Sequence, residues 1–151
     1  MKIKFFFISL ILMLNSCGFS PMYSSTSETN FYLKEINLKG DDFIIKEIKN
    51  NLNNFSQDNS DKNIIINGKI TYLKSSQTKN LAGDTTQYKL KALSEFKVKT
   101  SNNEVDFNFS ENFDMKNFDD EFEEKKYENS IKENFARSIS NRILLQISRL
   151  E

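Results

Sequence analysis

Residues 86–115 read TQYKLKALSEFKVKTSNNEVDFNFSENFDM, and this stretch decides the fold. Apolar and polar side chains alternate on both sides of Ser101-Asn102-Asn103. A period of two marks a strand with one buried face. Asn tolerates positive φ, so Asn102-Asn103 reads as the turn of a hairpin. With that turn, Ser101 opposes Glu104 and the register follows. Val98 meets Phe107, Phe96 meets Phe109, Ala92 meets Phe113 and Leu90 meets Met115, all on one face. On the other face Lys99 meets Asp106 and Lys91 meets Asp114. A slip of one residue would scatter the apolar set over both faces.

Upstream, residues 63–73 (NIIINGKITYL) read as another strand. Ile64, Ile66, Ile70 and Tyr72 share one face, and Gly68 marks a bulge or a close approach. Residues 74–85 (KSSQTKNLAGDT) read as a polar loop turning at Gly83-Asp84. Residues 31–38 (FYLKEINL) form a first strand, with Phe31, Leu33 and Ile36 or Leu38 inward, broken at Gly40. Asp41 or Asp42 then offers an N-cap to a helix reaching about Asn54. Ile44, Ile45, Ile48, Leu52 and Phe55 give it one apolar stripe. Downstream, Asp119-Asp120-Glu121 and Glu123-Glu124 open a final helix, where negative charge suits the macrodipole. Ile131, Phe135, Ile139, Ile143 and Ile147 recur every fourth residue along it, with Leu144 and Leu150 beside them. The order is therefore β-α-β-β-β-α. One apolar face per strand and one stripe per helix close most simply as an α+β two-layer sandwich, with a four-stranded sheet and two helices on one face.

Composition narrows the chemistry. The chain has 151 residues, 21 basic and 21 acidic, with no His, no Trp, one Cys, one Pro and 4 Gly. Without His, no Ser-His-Asp or Cys-His nucleophile system can be built. One Cys and no His exclude the usual zinc sites. Zero net charge argues against a nucleic-acid binder, and neither GxGxxG nor GxxxxGK[ST] occurs. The carboxylates of 119–124 and the pair Asp41-Asp42 read as helix starts rather than metal or acid/base sites. The expectation is a non-enzyme with no metal and no cofactor.

The first segment reads as an address. Lys2 and Lys4 precede the apolar run from Phe5 to Leu14, too short for the roughly 20 residues of a membrane-spanning helix. Leu14-Asn15-Ser16-Cys17 then resembles the bacterial lipobox. That resemblance implies cleavage between Ser16 and Cys17, a diacylglyceryl thioether on the Cys17 thiol, and acylation (palmitate) of the new amine. One acyl chain binds a membrane only marginally, and two or more hold firmly. Gly18, where an Asp would retain the protein in the inner membrane under the enteric sorting rule, favours the outer membrane. Cleavage would remove Lys2 and Lys4 and leave a slightly acidic mature chain. The domains are thus 1–16 signal peptide, 17–30 lipidated N-terminus and linker, and 31–151 a single α+β domain. Residues 18–30 (GFSPMYSSTSETN) are rich in Ser and Thr, and the apolar Phe19, Met22 and Tyr23 suggest that the lead-in docks.

Recognition has one candidate. Lys89, Lys91, Lys97 and Lys99 project from the polar face of one strand and could meet phosphates, for example on an anionic glycolipid. A solvated charged face is the plainer reading, since Lys91 and Lys99 have Asp partners in the expected register and polar faces are commonly charged. Arg137, Arg142 and Arg149 could serve the same end, or simply solvate the second half of the last helix.

Cys17-Gly18-Phe19-Ser20-Pro21-Met22-Tyr23 is similar to the CGFxPLY start of mature lipopolysaccharide-assembly lipoproteins of the LptE family. Gly83-Asp84 with Gln87-Tyr88-Lys89-Leu90 is similar to their central turn and strand. Ser130 to Leu150 is similar to their closing helix, with Ile147-Ser148-Arg149-Leu150 one residue tighter than the family's ending. Their fold has the same element order. The resemblance implies a non-enzymatic outer-membrane lipoprotein on the periplasmic face. Its partner would be an LptD-type β-barrel, which it would plug and help assemble, and it would contact lipopolysaccharide. The alternative is a lipid-anchored periplasmic binding or scaffold protein of envelope biogenesis with another partner.

Overall fold

The computed structural model describes residues 31–150 except residue 59. The lipobox, Ser16, Cys17 and the lead-in lie outside the described residues. The elements are β1 (Tyr32–Gly40), α1 (Asp42–Asn53), β2 (Asn63–Lys79), β3 (Thr85–Lys99), β4 (Glu104–Lys116) and α2 (Glu121–Ser148). They form one four-stranded sheet in the order β1-β2-β3-β4. β1 and β2 are parallel, as a connection through a helix allows, and the other two pairs are antiparallel. The expected α+β order is the observed one.

Both helices cover one face. Ile44, Ile48 and Leu52 of α1 and Ile131, Phe135, Ile139, Ile143 and Ile147 of α2 are buried. They join Ile64, Ile66, Ile70, Leu90, Ala92, Phe96, Val98 and Met115 of the sheet in one cluster. The whole four-residue stripe of α2 is thus core. Two capping aspartates set the helix starts. Asp41 accepts from the Ile44 N–H, and Asp120 accepts from the N–H groups of Phe122 and Glu123. These bonds satisfy donors that a helix leaves orphaned.

In β1, Leu33 pairs with Ile64 and Ile36 with Ile66, with an irregularity between Leu33 and Glu35. The extra residue switches parity, so Leu33, Ile36 and Leu38 all turn inward. Gly40 follows at φ +132, where a Cβ would lie 1.7 Å from the Ile70 carbonyl oxygen. Only glycine permits that turn into α1.

Two expectations need correction. The β3–β4 register is displaced by two residues. Val98 pairs with Val105, Phe96 with Phe107, Leu90 with Phe113, Lys97 with Asp106 and Lys89 with Asp114. The turn centres on Ser101-Asn102, and Thr100 faces Asn103. The Thr100 N–H donates to the Asn103 carbonyl at 2.8 Å, and the Thr100 hydroxyl accepts from the Asn103 N–H at 3.0 Å. No non-glycine residue among those described has positive φ. The Asn-Asn pair is therefore not used as a mirror-image turn, and the Thr100 side chain fixes the loop instead. A two-residue displacement preserves each residue's face, so the apolar set still points to the core.

Second, residues 74–79 are strand rather than loop. They pair with 85–90 of β3, and hydroxyl pairs bridge the strands at Ser76–Thr85 (3.0 Å) and Thr78–Thr86 (2.8 Å). Past Lys74, whose ammonium bonds to α2, this extension has polar, exposed side chains although its backbone is a ladder. The loop shrinks to the tight turn 80–84. There the Asn80 side-chain oxygen accepts from the N–H groups of Ala82 and Asp84.

Candidate functional site

No described helix covers the sheet's second face, and every strand contributes to it. β1 gives Glu35, Asn37 and Lys39; β2 gives Asn67, Lys69 and Thr71; β3 gives the four lysines with Glu95; β4 gives Glu104, Asp106, Asn108 and Asp114. A wide shallow depression lies over Asn67, Gly68, Lys69, Glu95, Lys97 and Asn108. The surface is mainly polar and mixed in charge, with Ile65, Leu73 and Leu93 set among the polar side chains, and no described element covers it.

The structure places Lys89, Lys91, Lys97 and Lys99 on this face together, in unequal settings. Lys97 lies 2.8 Å from Glu104 and 3.7 Å from Asp106. The hydrogen bond to Glu104 holds the Lys97 ammonium above the usual lysine range. The same bond holds the Glu104 carboxyl below its usual range. Lys89 faces Asp114 at a looser 3.8 Å, and Lys99 pairs in register with Glu104. Lys91 sits between Leu73 and Asn112 and forms no ion pair among the described residues. Lys99 likewise forms no ion pair among the described residues and is the more exposed of the two, so Lys91 and Lys99 are the cations of the row not held by a carboxylate. The expected partnership of Lys91 with Asp114 is replaced by that of Lys89, a consequence of the displaced register.

The arginines divide as well. Arg137 pairs with Glu133 one helical turn away at 3.1 Å. Arg142 reaches the core-facing side of β4, where its Nε lies 3.3 Å from Glu111 and its guanidinium lies over the Phe109 ring. The Ser138 hydroxyl donates to the same Glu111 carboxylate. Glu111 is thus an inward-pointing charge on an edge strand, a device that discourages edge-to-edge pairing. Arg149 caps the C-terminus of α2.

A polar network between β2 and α2 is invisible in the sequence. The Tyr72 hydroxyl donates to Glu128 at 2.8 Å, and the Lys74 ammonium donates to Glu128 at 2.8 Å and to Glu124 at 2.6 Å. Lys132 reaches Asp41 at 2.8 Å and lies over the Tyr72 ring. Burial pushes the Tyr72 hydroxyl above the phenol range, and the bond to Glu128 adds to it. For Lys74, burial disfavours the charge, but the hydrogen bonds to Glu124 and Glu128 outweigh it and raise the ammonium's pKa. For Glu128, burial again works against the charge, but hydrogen bonds from Lys74 and Tyr72 prevail and lower the carboxyl's pKa. The network ties α2 to β2 and to the cap of α1. The signal that could have found it is the period-two run Tyr72, Lys74, Ser76, which continues β2 past its apolar part.

Among the described residues no group of three or more His, Cys, Asp or Glu is placed to hold a metal ion. No described helix is long and apolar enough to cross a membrane.

The sheet and its two helices match solved structures. Rare lipoprotein B from Shewanella oneidensis superposes with a TM-score of 0.56 at 12% identity, over 77% of this chain and 95% of that one. A minor lipoprotein from Acinetobacter baumannii gives 0.51 at 14% identity, over 73% and 91%. At these identities the likeness is one of fold. No family model matches the sequence, and no curated protein matches it.

Proposed function

We propose that the chain is a lipid-anchored protein of the outer membrane, on its periplasmic face, that complexes with an LptD-type β-barrel and assists lipopolysaccharide assembly. The observation that carries this reading is a domain with the fold of two lipoproteins, set behind a lipobox of its own, Leu14 to Cys17. The CGFxPLY-like start narrows the reading to the LptE type. The role is non-enzymatic, with no cofactor beyond the lipid on Cys17 and no nucleic-acid partner.

The layer arrangement supports a plug. The apolar sheet face is used up by the protein's own helices, so the polar face remains for a partner. A barrel lumen is itself polar, and mixed charges can be matched there pair by pair. Contact with lipopolysaccharide falls to the lysine row, led by Lys91 and Lys99, because a phosphate at Lys97 must compete with Glu104 and Asp106.

The test is affinity purification of the intact protein from detergent-solubilised native envelope, combined with metabolic palmitate labelling. A large β-barrel partner is expected, with label that Cys17→Ala abolishes. Recovery of soluble partners alone would overturn the barrel reading, and another envelope protein would assign the scaffold role instead. Unlabelled native protein would overturn the anchor.

A further inference from the structure

A cavity of about 330 Å³ opens at the end of the domain where α2 stops and the β3–β4 turn continues past it. Its lining combines apolar Phe31, Ile64, Ile147 and Leu150 with polar groups that include Asp61 and Asn102. We propose that this cavity seats residues 19–23 of the same chain, so that the lead-in folds back onto the domain.

Three observations converge on that occupant. The first is where the chain emerges. Phe31 is the first described residue and is itself part of the cavity lining. It is fixed there: its carbonyl accepts from the Gln57 N–H at 2.9 Å, and the following Tyr32 N–H donates to the Lys62 carbonyl at 2.9 Å. Whatever precedes Phe31 starts at the cavity. The second is length. Residues 24–30 separate Tyr23 from Phe31, and an extended chain spans up to about 3.3–3.6 Å per residue. That reach is ample for a return to the starting point. The third is composition. Residues 24–30 (SSTSETN) carry no apolar side chain, whereas Phe19, Met22 and Tyr23 concentrate three large ones within five residues. Their i, i+3, i+4 spacing lets them share one side, and Pro21 restricts the backbone between them. Ser20 within this apolar set and Ser24 after it suit the polar Asp and Asn groups of the lining. A cavity this size, at the lower end of ligand-sized pockets, accepts such side chains but not a folded partner.

Seating the lead-in here also orients the domain, and this consequence rests on the anchored reading above. Cys17 stands two residues before Phe19, so the end bearing Asn102 would lie nearest the lipid, and the 80–84 turn would point away.

Photo-cross-linking of the intact, detergent-solubilised protein tests the seat. Its readout is independent of palmitate and of any barrel. p-Benzoylphenylalanine is incorporated at position 102, in the cavity lining, and separately at position 81, in the far turn. An intramolecular cross-link from position 102 to a peptide within 18–30, absent from position 81, is expected. The combined Phe19→Ser, Met22→Ser and Tyr23→Ser variant should lower its yield about fivefold or more, because docking is a two-state equilibrium biased by those side chains. Far-UV circular dichroism should stay unchanged. Cross-links from position 102 to a second copy or another protein, none to 18–30, or an undiminished yield in the triple variant would each overturn the proposal.

Discussion

Gly68 faces the core between Ile66 and Ile70, opposite Phe96 in β3. A Cβ there would lie 2.4 Å from the Phe96 ring. The missing side chain lets that ring lie flat across β2, where it also meets Phe107 and Phe109. Gly68→Ala overpacks the centre of the sheet and should cost about 1–3 kcal/mol in urea unfolding. Ile139→Ala works in the opposite sense. Ile139 is fully buried at the middle of the α2 stripe, and its truncation should cost about 2–5 kcal/mol, depending on how far the site collapses. Glu128 makes a different prediction. Its folded pKa lies below the unfolded value, because hydrogen bonds from Lys74 and Tyr72 overcome its burial. Its contribution is therefore present above the unfolded pKa and is lost as pH falls through the folded one. The stability of the wild-type protein should fall more steeply with acid, below about pH 4–5, than that of Glu128→Gln. Chemical denaturation at a series of pH values measures the difference, and parallel curves would remove Glu128 from any stabilising role.

The elements differ in how openly their sequences announce them. The stripe Ile131 to Ile147 is local information, because helical neighbours are three and four residues apart. Its reading needs no knowledge of the partner surface. The faces of β3 and β4 are equally local, being set by period two. Their register is not, because it depends on which residues turn, and the Thr100 hydroxyl settles that from outside the Asn pair. Residues 74–79 failed as a strand by composition, since polarity normally follows solvent and not the backbone. Here pairing with β3 supplies the ladder, and of these side chains only Lys74 bonds to a helix. The Tyr72–Lys74–Glu128 network was out of reach for the same reason, its partners being more than fifty residues apart. The cap of α2, by contrast, was half visible in the acidic run 119–124. Asp120 accepts two N–H bonds there, so Asp120→Ala should destabilise by about 0.5–2 kcal/mol in thermal or urea unfolding. Asp119→Ala should not, since Asp119 makes no capping bond.

At the scale of the molecule, the two sheet faces are energetically separate. One face and both helices form the core, and no described element covers the other. That separation lets stability and recognition be varied independently. Asn108 lies on the open face, on the edge strand β4 beside Glu95, where it lines the shallow depression. Asn108→Arg should change unfolding free energy by no more than about 0.5 kcal/mol, as surface substitutions usually do. If the open face docks a polar partner, the same change should cut recovery of the barrel in affinity purification. A loss of recovery with unaltered stability would place the partner on this face, and full recovery would place it elsewhere. The lysine row can be resolved by the same logic. A phosphate gains most from a cation that has no other anion to satisfy. Lys91 makes no ion pair among the described residues, whereas Lys97 is held by Glu104 and Asp106. Lys91→Gln should therefore weaken lipopolysaccharide binding in vitro more than Lys97→Gln, and both effects should shrink at high salt as screening grows. Removing Glu104 by Glu104→Gln should move Lys97 toward Lys91 in its effect, because it frees the bonded ammonium. Equal and salt-independent behaviour of all three variants would return the row to an ordinary solvated face, and leave the charge pattern of β3 and β4 to the pairing of the strands alone.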